Sequence, residues 1–231
     1  MASHPYYPPT IEIPNYAPND RGTLALISIF AVVCIAVFLG TYLIATRSRP
    51  QISTGDIITA QWFVLCGCIH LILEGYYSLN VFSLPSKQTI LSQLWKEYSL
   101  SDSRYLNPNS FVHSMESITA FAWGPLSFCI AYLITTDHVL RHPLQIIVSL
   151  GQLYGDVLYY GTCLFEFVVF GVENSRPERY YFWGYFVLLN AFWIVIPLAV
   201  LNQSVKACAK AFATSKSLQT RTVNGNAKKV L

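Results

Sequence analysis

The sequence predicts an all-α integral membrane protein, a bundle of five transmembrane helices, and three observations carry that prediction. Hydrophobic residues make up 53% of the 231, and charged residues only 12%, about half the ~25% charged share of a typical soluble domain. Five stretches reach the ~20 mostly apolar residues needed to cross a bilayer core of ~30 Å. The fifteen lysines and arginines all fall outside those stretches and divide unevenly between the two ends of a five-span bundle.

The elements follow in order. The first twenty residues are rich in Pro, Tyr and Asn and lack the apolar core of a cleavable signal peptide. Residues 1–23 are therefore expected as an N-terminal segment on the non-cytosolic side, and 24–46, which carries no charge, as the first membrane anchor. The second span, 57–79, carries His70 and Glu74. Residues 85–109 are polar and read as a loop, with a short amphipathic helix around 90–98 expected to lie on the membrane surface. The third span, 112–136, contains Glu116. After a turn at 137–143, the fourth, 144–171, contains Asp156 and Glu166. After a polar turn at 172–179, the fifth, 180–201, is uncharged but contains Asn190. The membrane domain is thus 24–203. Residues 204–231 form a basic tail, expected to be disordered beyond Ala213.

Topology follows from the basic residues. One side holds nine of them (Arg47, Arg49, Arg141, Lys206, Lys210, Lys216, Arg221, Lys228 and Lys229) against two acids, Asp56 and Asp137. The other holds six basic residues against six acids. The nine-basic side is expected to be cytosolic, with the C-terminus on it. The pair Lys228-Lys229 near that terminus resembles the dilysine retrieval signal of endoplasmic reticulum membrane proteins. The basic residues do not cluster as nucleic-acid binding requires. The six cysteines (Cys34, Cys66, Cys68, Cys129, Cys163 and Cys208) lack metal-ligand spacing and read as small apolar fillers. No metal and no cofactor is expected.

The acids inside the spans need an explanation. A charged side chain at mid-bilayer costs about 2.5–3.5 kcal/mol on insertion scales, so Glu74, Glu116, Asp156 and Glu166 facing lipid would cost on the order of 10 kcal/mol together. Helical spacing groups them. His70 and Glu74 stand at i, i+4 and share a face. Glu116, Thr119 and Trp123 stand at i, i+3, i+7. Gln152 and Asp156 stand at i, i+4, and Asn190 and Trp193 at i, i+3. Four helices each carry one polar stripe, and in lipid such stripes are satisfied by facing one another. The first span has none and is expected to be a peripheral brace. Taken singly, a Gln, Asn or Thr is as well explained as interhelical glue, a Trp as packing or an interface anchor, and Glu166, near a span end, as reaching the headgroups. Two carboxyls with one histidine are harder to dismiss. They suit general acid–base chemistry, and equally proton-coupled transport or the holding of a cationic ligand.

Longer motifs narrow these alternatives. His4-Pro5-Tyr6, Pro18-Asn19-Asp20-Arg21, Ile69-His70-Leu71-Ile72-Leu73-Glu74-Gly75-Tyr76, Leu94-Trp95-Lys96-Glu97-Tyr98, Asp102-Ser103-Arg104-Tyr105, Met115-Glu116-Ser117-Ile118-Thr119-Ala120, Trp123-Gly124-Pro125, Gly151-Gln152-Leu153-Tyr154-Gly155-Asp156-Val157-Leu158-Tyr159 and Asn190-Ala191-Phe192-Trp193 follow in this order. Together they closely resemble the emopamil-binding protein family, the 3β-hydroxysteroid Δ8–Δ7 isomerases of sterol synthesis, from about His4 to the end of the fifth span. The resemblance implies five helices in the endoplasmic reticulum membrane, a lumenal N-terminal segment and a Δ8-sterol substrate. It also implies functional residues at His70, Glu74, Glu116, Thr119, Asn190 and Trp193, all present unchanged.

In the mechanism this suggests, a proton is added at C9, a carbocation forms at C8, and a proton leaves C7. His70, supported by Glu74, and Glu116 form the donor and acceptor pair, in either order. Trp193 offers a ring face to the cation, and Asn190 and Thr119 orient Glu116. Trp123, Gln152, Asp156 and Tyr105 are candidates for a supporting role. Expected partners are the sterol, cationic amphiphilic amines as inhibitors, membrane lipid and, as an open alternative, a second copy of the chain in a homodimer. The competing readings are a non-catalytic sterol, lipid or amine-ligand binding protein of the same fold and a proton-coupled transporter. Five helices without an internal repeat argue against the transporter.

Overall fold

The computed structural model describes residues 4–227. It is helical, and five helices are long and apolar enough to cross a membrane. We number the helices α1 (Thr23–Ser48), α2 (Thr54–Asn80), α3 (Ile90–Tyr98), α4 (Ser110–Thr135), α5 (Arg141–Phe170) and α6 (181–227). All but the short α3 overlap the expected spans.

Each start and stop has a local cause. Ser53, Thr89 and Asn109 cap α2, α3 and α4 by accepting backbone N–H bonds of the first turn, which satisfies donors that a helix start leaves unpaired. Helix α5 ends at Gly171, whose φ of 66° is the left-handed conformation that glycine adopts without a Cβ penalty. Only Leu26, Thr41 and Ala45 of α1 are buried. That helix braces α2 and α3 and otherwise presents apolar side chains outward.

Ion pairs and loop contacts give the up-and-down arrangement. Asp56 after α1 pairs with Arg141 at 2.5 Å and with Arg49 at 3.5 Å, and Arg49 reaches Asp137 at 3.0 Å. The α1–α2 and α4–α5 turns therefore sit at one end. At the other end the N-terminal segment lies on α3. The Tyr6 hydroxyl donates to Lys96 O at 3.1 Å, and the Lys96 ammonium donates to Ala17 O and Lys87 O at 2.8 and 2.9 Å. The Ser103 amide there donates to Asn174 O of the α5–α6 turn at 3.0 Å.

Two expectations need correction. Helix α3 has the expected bounds, but its apolar face packs on the bundle and not on lipid. Trp95 stacks on Tyr105 at 4.7 Å and donates through its indole N–H to Leu73 O at 2.8 Å, and Ser92, Gln93 and Lys96 are buried. Amphipathic spacing specifies an apolar face and leaves open what covers it. The tail, in turn, is not disordered beyond Ala213: α6 runs on as helix to Ala227. Residues 205–222 contain no Pro or Gly, and extending an existing helix avoids the cost of nucleation. The Lys228-Lys229 pair lies outside the described residues.

Two clusters form the core. One, near the α3 end, is mostly aromatic, around Tyr77, Trp95, Tyr105, Tyr159 and Phe186. The other, toward the opposite end, gathers Ala60, Phe63, Ile130, Ile134 and Val148. Between them α2 and α4 close on each other at Gly124, where a Cβ would stand 3.1 Å from the Leu71 amide nitrogen and 3.3 Å from His70 Cβ. Backbone cannot step aside as a side-chain tip can. Gly124→Val should therefore cost about 1–3 kcal/mol through overpacking, read as a lower thermal midpoint of the detergent-solubilised protein. A wild-type midpoint would contradict this packing.

Candidate active site

Three helices widen locally to i→i+5 turns, at Ile69–Glu74 in α2, Thr119–Trp123 in α4 and Tyr181–Leu189 in α6. Such turns are rare and concentrate at functional positions. The first contains His70 and Glu74, the second contains Thr119 and Trp123, and the third delivers Asn190 at its end. In α4 Pro125, two residues past the end of the wide turn, has no N–H to give to a regular helical ladder.

These turns surround a cavity of about 330 Å³, at the small end of the ~300–1,000 Å³ typical of ligand sites. All ten residues singled out in the sequence line it: His70, Glu74, Tyr105, Glu116, Thr119, Trp123, Gln152, Asp156, Asn190 and Trp193. Glu166 does not. Its expected reach to the headgroups is replaced by bonds from Asn174 at 2.6 Å and Asn109 at 3.4 Å, which tie α5 to the adjoining loops. Ser114 and Ile118 of α4 and Tyr154 and Leu158 of α5 also line the cavity yet are exposed. The mouth thus lies between α4 and α5, on the flank where lipid would stand.

The polar groups form short chains. His70, 2% exposed, places Nδ1 2.9 Å from both carboxyl oxygens of Glu74. Its Nε2 stands 3.1 Å from Gln152 Nε2. With the amide N–H donating to Nε2, the ring proton sits on Nδ1 and is given to Glu74. Turning the amide over would offer Oε1, which otherwise lacks a partner among the described residues, to an imidazolium N–H, so Gln152 serves either protonation state of the ring. Trp193 lies against the imidazole with ring centroids 4.9 Å apart and is backed by Trp62 at 5.0 Å.

Glu116 accepts a 2.5 Å bond from the Tyr105 hydroxyl. Tyr105 stays a donor, because burial, reinforced by the nearby Glu116 carboxyl, pushes its phenol well above the ordinary value.

The expected support of Glu116 by Thr119 and Asn190 is corrected. Thr119 gives its hydroxyl proton to Met115 O at 2.7 Å. Asn190 gives its amide protons to Phe186 O and the Tyr98 hydroxyl at 2.7 and 3.0 Å. Both helices carry the residue to the cavity, but Glu116 is reached by a tyrosine from the loop between α3 and α4. Sequence spacing missed Tyr98 and Tyr159, which with Asp102 and Arg104 roof the site. Tyr159 donates to Asp102 at 2.6 Å, and Arg104 grips the same carboxylate at 2.7–3.0 Å. Tyr159 stands at i+3 from Asp156 and extends the Gln152–Asp156 stripe of α5, so spacing could have found it. Periodicity within the spans carries no information about Tyr98, Asp102 and Arg104, which α3 and the loop after it fold back over the bundle. The available signal was the length of the motifs that contain these residues. At the opposite end Trp123 lies on α5 at Gly151, where a Cβ would meet the indole at 2.6 Å.

Comparison with known proteins is decisive at this point. The profile of the EXPERA (EXPanded EBP) superfamily matches residues 90–204. A 3-beta-hydroxysteroid-Delta(8),Delta(7)-isomerase of Mus musculus is 41% identical over 210 residues, covering 90% of each chain. The chain belongs to the EBP family. A 3-beta-hydroxysteroid-Delta(8),Delta(7)-isomerase of Cavia porcellus is 34% identical over 226 residues, 97% of this chain and 96% of that one. A protoglabretal synthase of Ailanthus altissima is 28% identical over 212 residues, 91% of this chain and 94% of that one. In this EBP family member Tyr105→Phe leaves a buried Glu116 oxygen without its donor, at a cost of about 1–3 kcal/mol. The expected result is a lowered thermal midpoint without any bound ligand. A midpoint within error of wild type would show the bond to be dispensable.

Proposed function

We propose that this protein is a sterol Δ8–Δ7 isomerase, moving the C8–C9 double bond of a 3β-hydroxysteroid to C7–C8. The observation that carries the reading is the meeting of two proton-handling units, His70–Glu74 and Tyr105–Glu116, in one cavity that opens toward lipid, in a chain whose relatives bear that name. The shift is redox-neutral: a proton adds at C9, the positive charge rests at C8, and a proton departs from C7. It needs a proton donor, an acceptor and surroundings that tolerate a cation.

The two units supply the pair in either order. Glu74 holds the imidazole by Nδ1 and balances its charge when it is protonated. Tyr105 fixes the Glu116 carboxyl from the roof. The carboxyls facing the developing cation lower its energy because they are fixed in place before the reaction, and the Trp193 ring lies in the same wall. Met115, Ile118, Trp123 and Leu158 keep the lining apolar, which excludes water that would trap the cation as an alcohol. A hydrophobic substrate reaches such a site sideways, through the mouth between α4 and α5.

The excess of basic residues at the α1–α2 and α4–α5 end and on α6 supports a cytosolic C-terminus. The chemistry of the substrate supports residence in the endoplasmic reticulum membrane.

Two measurements test the function. Glu116→Gln should lower turnover of a Δ8-sterol by about 10²-fold or more, the usual worth of a positioned acid or base, with the thermal midpoint retained; wild-type reaction in deuterated water should place one deuterium at C9. Full activity of the variant, or no label at C9, would sink the scheme. A site shaped for a sterol cation should also take lipophilic amines, whose ammonium imitates it. Such amines should compete with the sterol and raise its KM, and amines that leave turnover untouched at saturating concentration would count against a cationic intermediate.

A further inference from the structure

Of the four acids inside the spans, three have partners: Glu74 has His70, Glu116 has Tyr105, and Glu166 has Asn109 and Asn174. Asp156 is different. It is 7% exposed and lines the cavity, yet no hydrogen bond from the described residues reaches its carboxyl, of which Oδ2 is packed away and Oδ1 is the accessible oxygen. A buried polar atom left unpaired is costly, and here the unpaired atom belongs to the wall of a ligand site.

We propose that Asp156 binds the ligand itself, as the hydrogen-bond partner of the hydroxyl group of a hydroxysterol. The inference rests on the isomerase reading and deepens it. The ligand in that reading is a fused hydrocarbon with one polar group, a hydroxyl on the terminal ring, and it reacts one ring further in. Its hydroxyl therefore has to be met some distance from the proton-handling pair. Asp156 stands one helical turn beyond Gln152, whose amide touches His70, and four residues of helix rise about 6 Å. Offset and chemistry agree: a carboxyl oxygen accepts the O–H, and a hydroxyl carried into an apolar cavity gains the partner it would otherwise lack. The other polar groups deep in the walls have bonds of their own, apart from Gln152 Oε1, which faces His70's side of the site. Gln152 is at His70, Asn190 at Tyr98 and Phe186, and the Thr119 hydroxyl at Met115.

The test uses the full chain in lipid nanodiscs and two substrates, a 3β-hydroxy Δ8-sterol and its 3-deoxy analogue with the same ring double bond. Wild type should bind the hydroxysterol with a KM at least tenfold lower than that of the deoxy compound, with similar kcat. Asp156→Leu should raise KM for the hydroxysterol until the two substrates coincide and leave the deoxy compound within about threefold. Asp156→Asn, which keeps a hydrogen-bonding side chain of the same shape, should preserve most of the discrimination.

A purely structural role would raise both KM values together and keep their ratio. That result overturns the proposal, and so does a wild type that does not distinguish the substrates, an outcome that needs no variant to fold. If Asp156→Leu weakens a lipophilic amine tenfold while the hydroxy-to-deoxy ratio is unchanged, Asp156 holds cations and the proposal fails. If wild type turns over neither sterol, isomerisation is the reading that fails. The same ratio, measured by equilibrium binding of the two sterols, then still decides Asp156.

Discussion

A carboxyl group inside an apolar bundle has to be satisfied by other protein groups, and the architecture of this protein is organised by that requirement. Among the described residues three of the four acids of the spans are partnered by histidine, tyrosine and asparagine and none by lysine or arginine, while Asp156 is left to the cavity. Glu74 finds its partner within α2, Glu116 finds one in the α3–α4 loop, and Glu166 is answered by the loops beside the end of α5. Helix α1 has no such demand and packs at the edge. The polar site therefore specifies which faces of the helices meet, while apolar packing above and below it supplies most of the contact.

The widened turns of α2, α4 and α6 belong to the same requirement. A regular helix presents residues four apart along one line. A turn of i→i+5 bonds inserts an extra residue, loosens the ladder and swings side chains out toward the cavity. The first two lie at the level of the site, and the third ends where Asn190 enters it. Gly124 lets α2 and α4 approach at His70, and Gly151 lets Trp123 lie flat on α5, so the cavity is bounded by close backbone contact on one side and opens between α4 and α5 on the other.

The roof gives the site a second layer. Helix α3 and the following loop fold onto the bundle with Trp95, Tyr98, Tyr105 and the Asp102–Arg104 pair, and the N-terminal segment straps them down through Tyr6 and Lys96. Tyr105 is thereby held by a stack of aromatic rings and a loop, and it delivers its hydroxyl to Glu116. The fold thus links a segment far from the reacting groups to the orientation of one of them, in a chain whose family membership points to proton transfer on a sterol.

Much of this was legible in the residues. Apolar length located the five spans, basic residues gave their alternation, and i, i+4 spacing put His70 beside Glu74, because these properties are local and the bilayer leaves few ways to satisfy them. The ordered motifs identified the family. Which groups answer Glu116 was not legible: Thr119 and Asn190 share the cavity with it, but the bond comes from Tyr105, which reaches it from outside the helices. The same holds for α3, whose apolar face looked suited to lipid and is covered by protein, and for α6, which continues as helix where a disordered tail was expected. Sequence determined which side chains had to leave lipid. Only the tertiary structure decided which partner each one found, because that choice depends on distances between segments that periodicity does not encode.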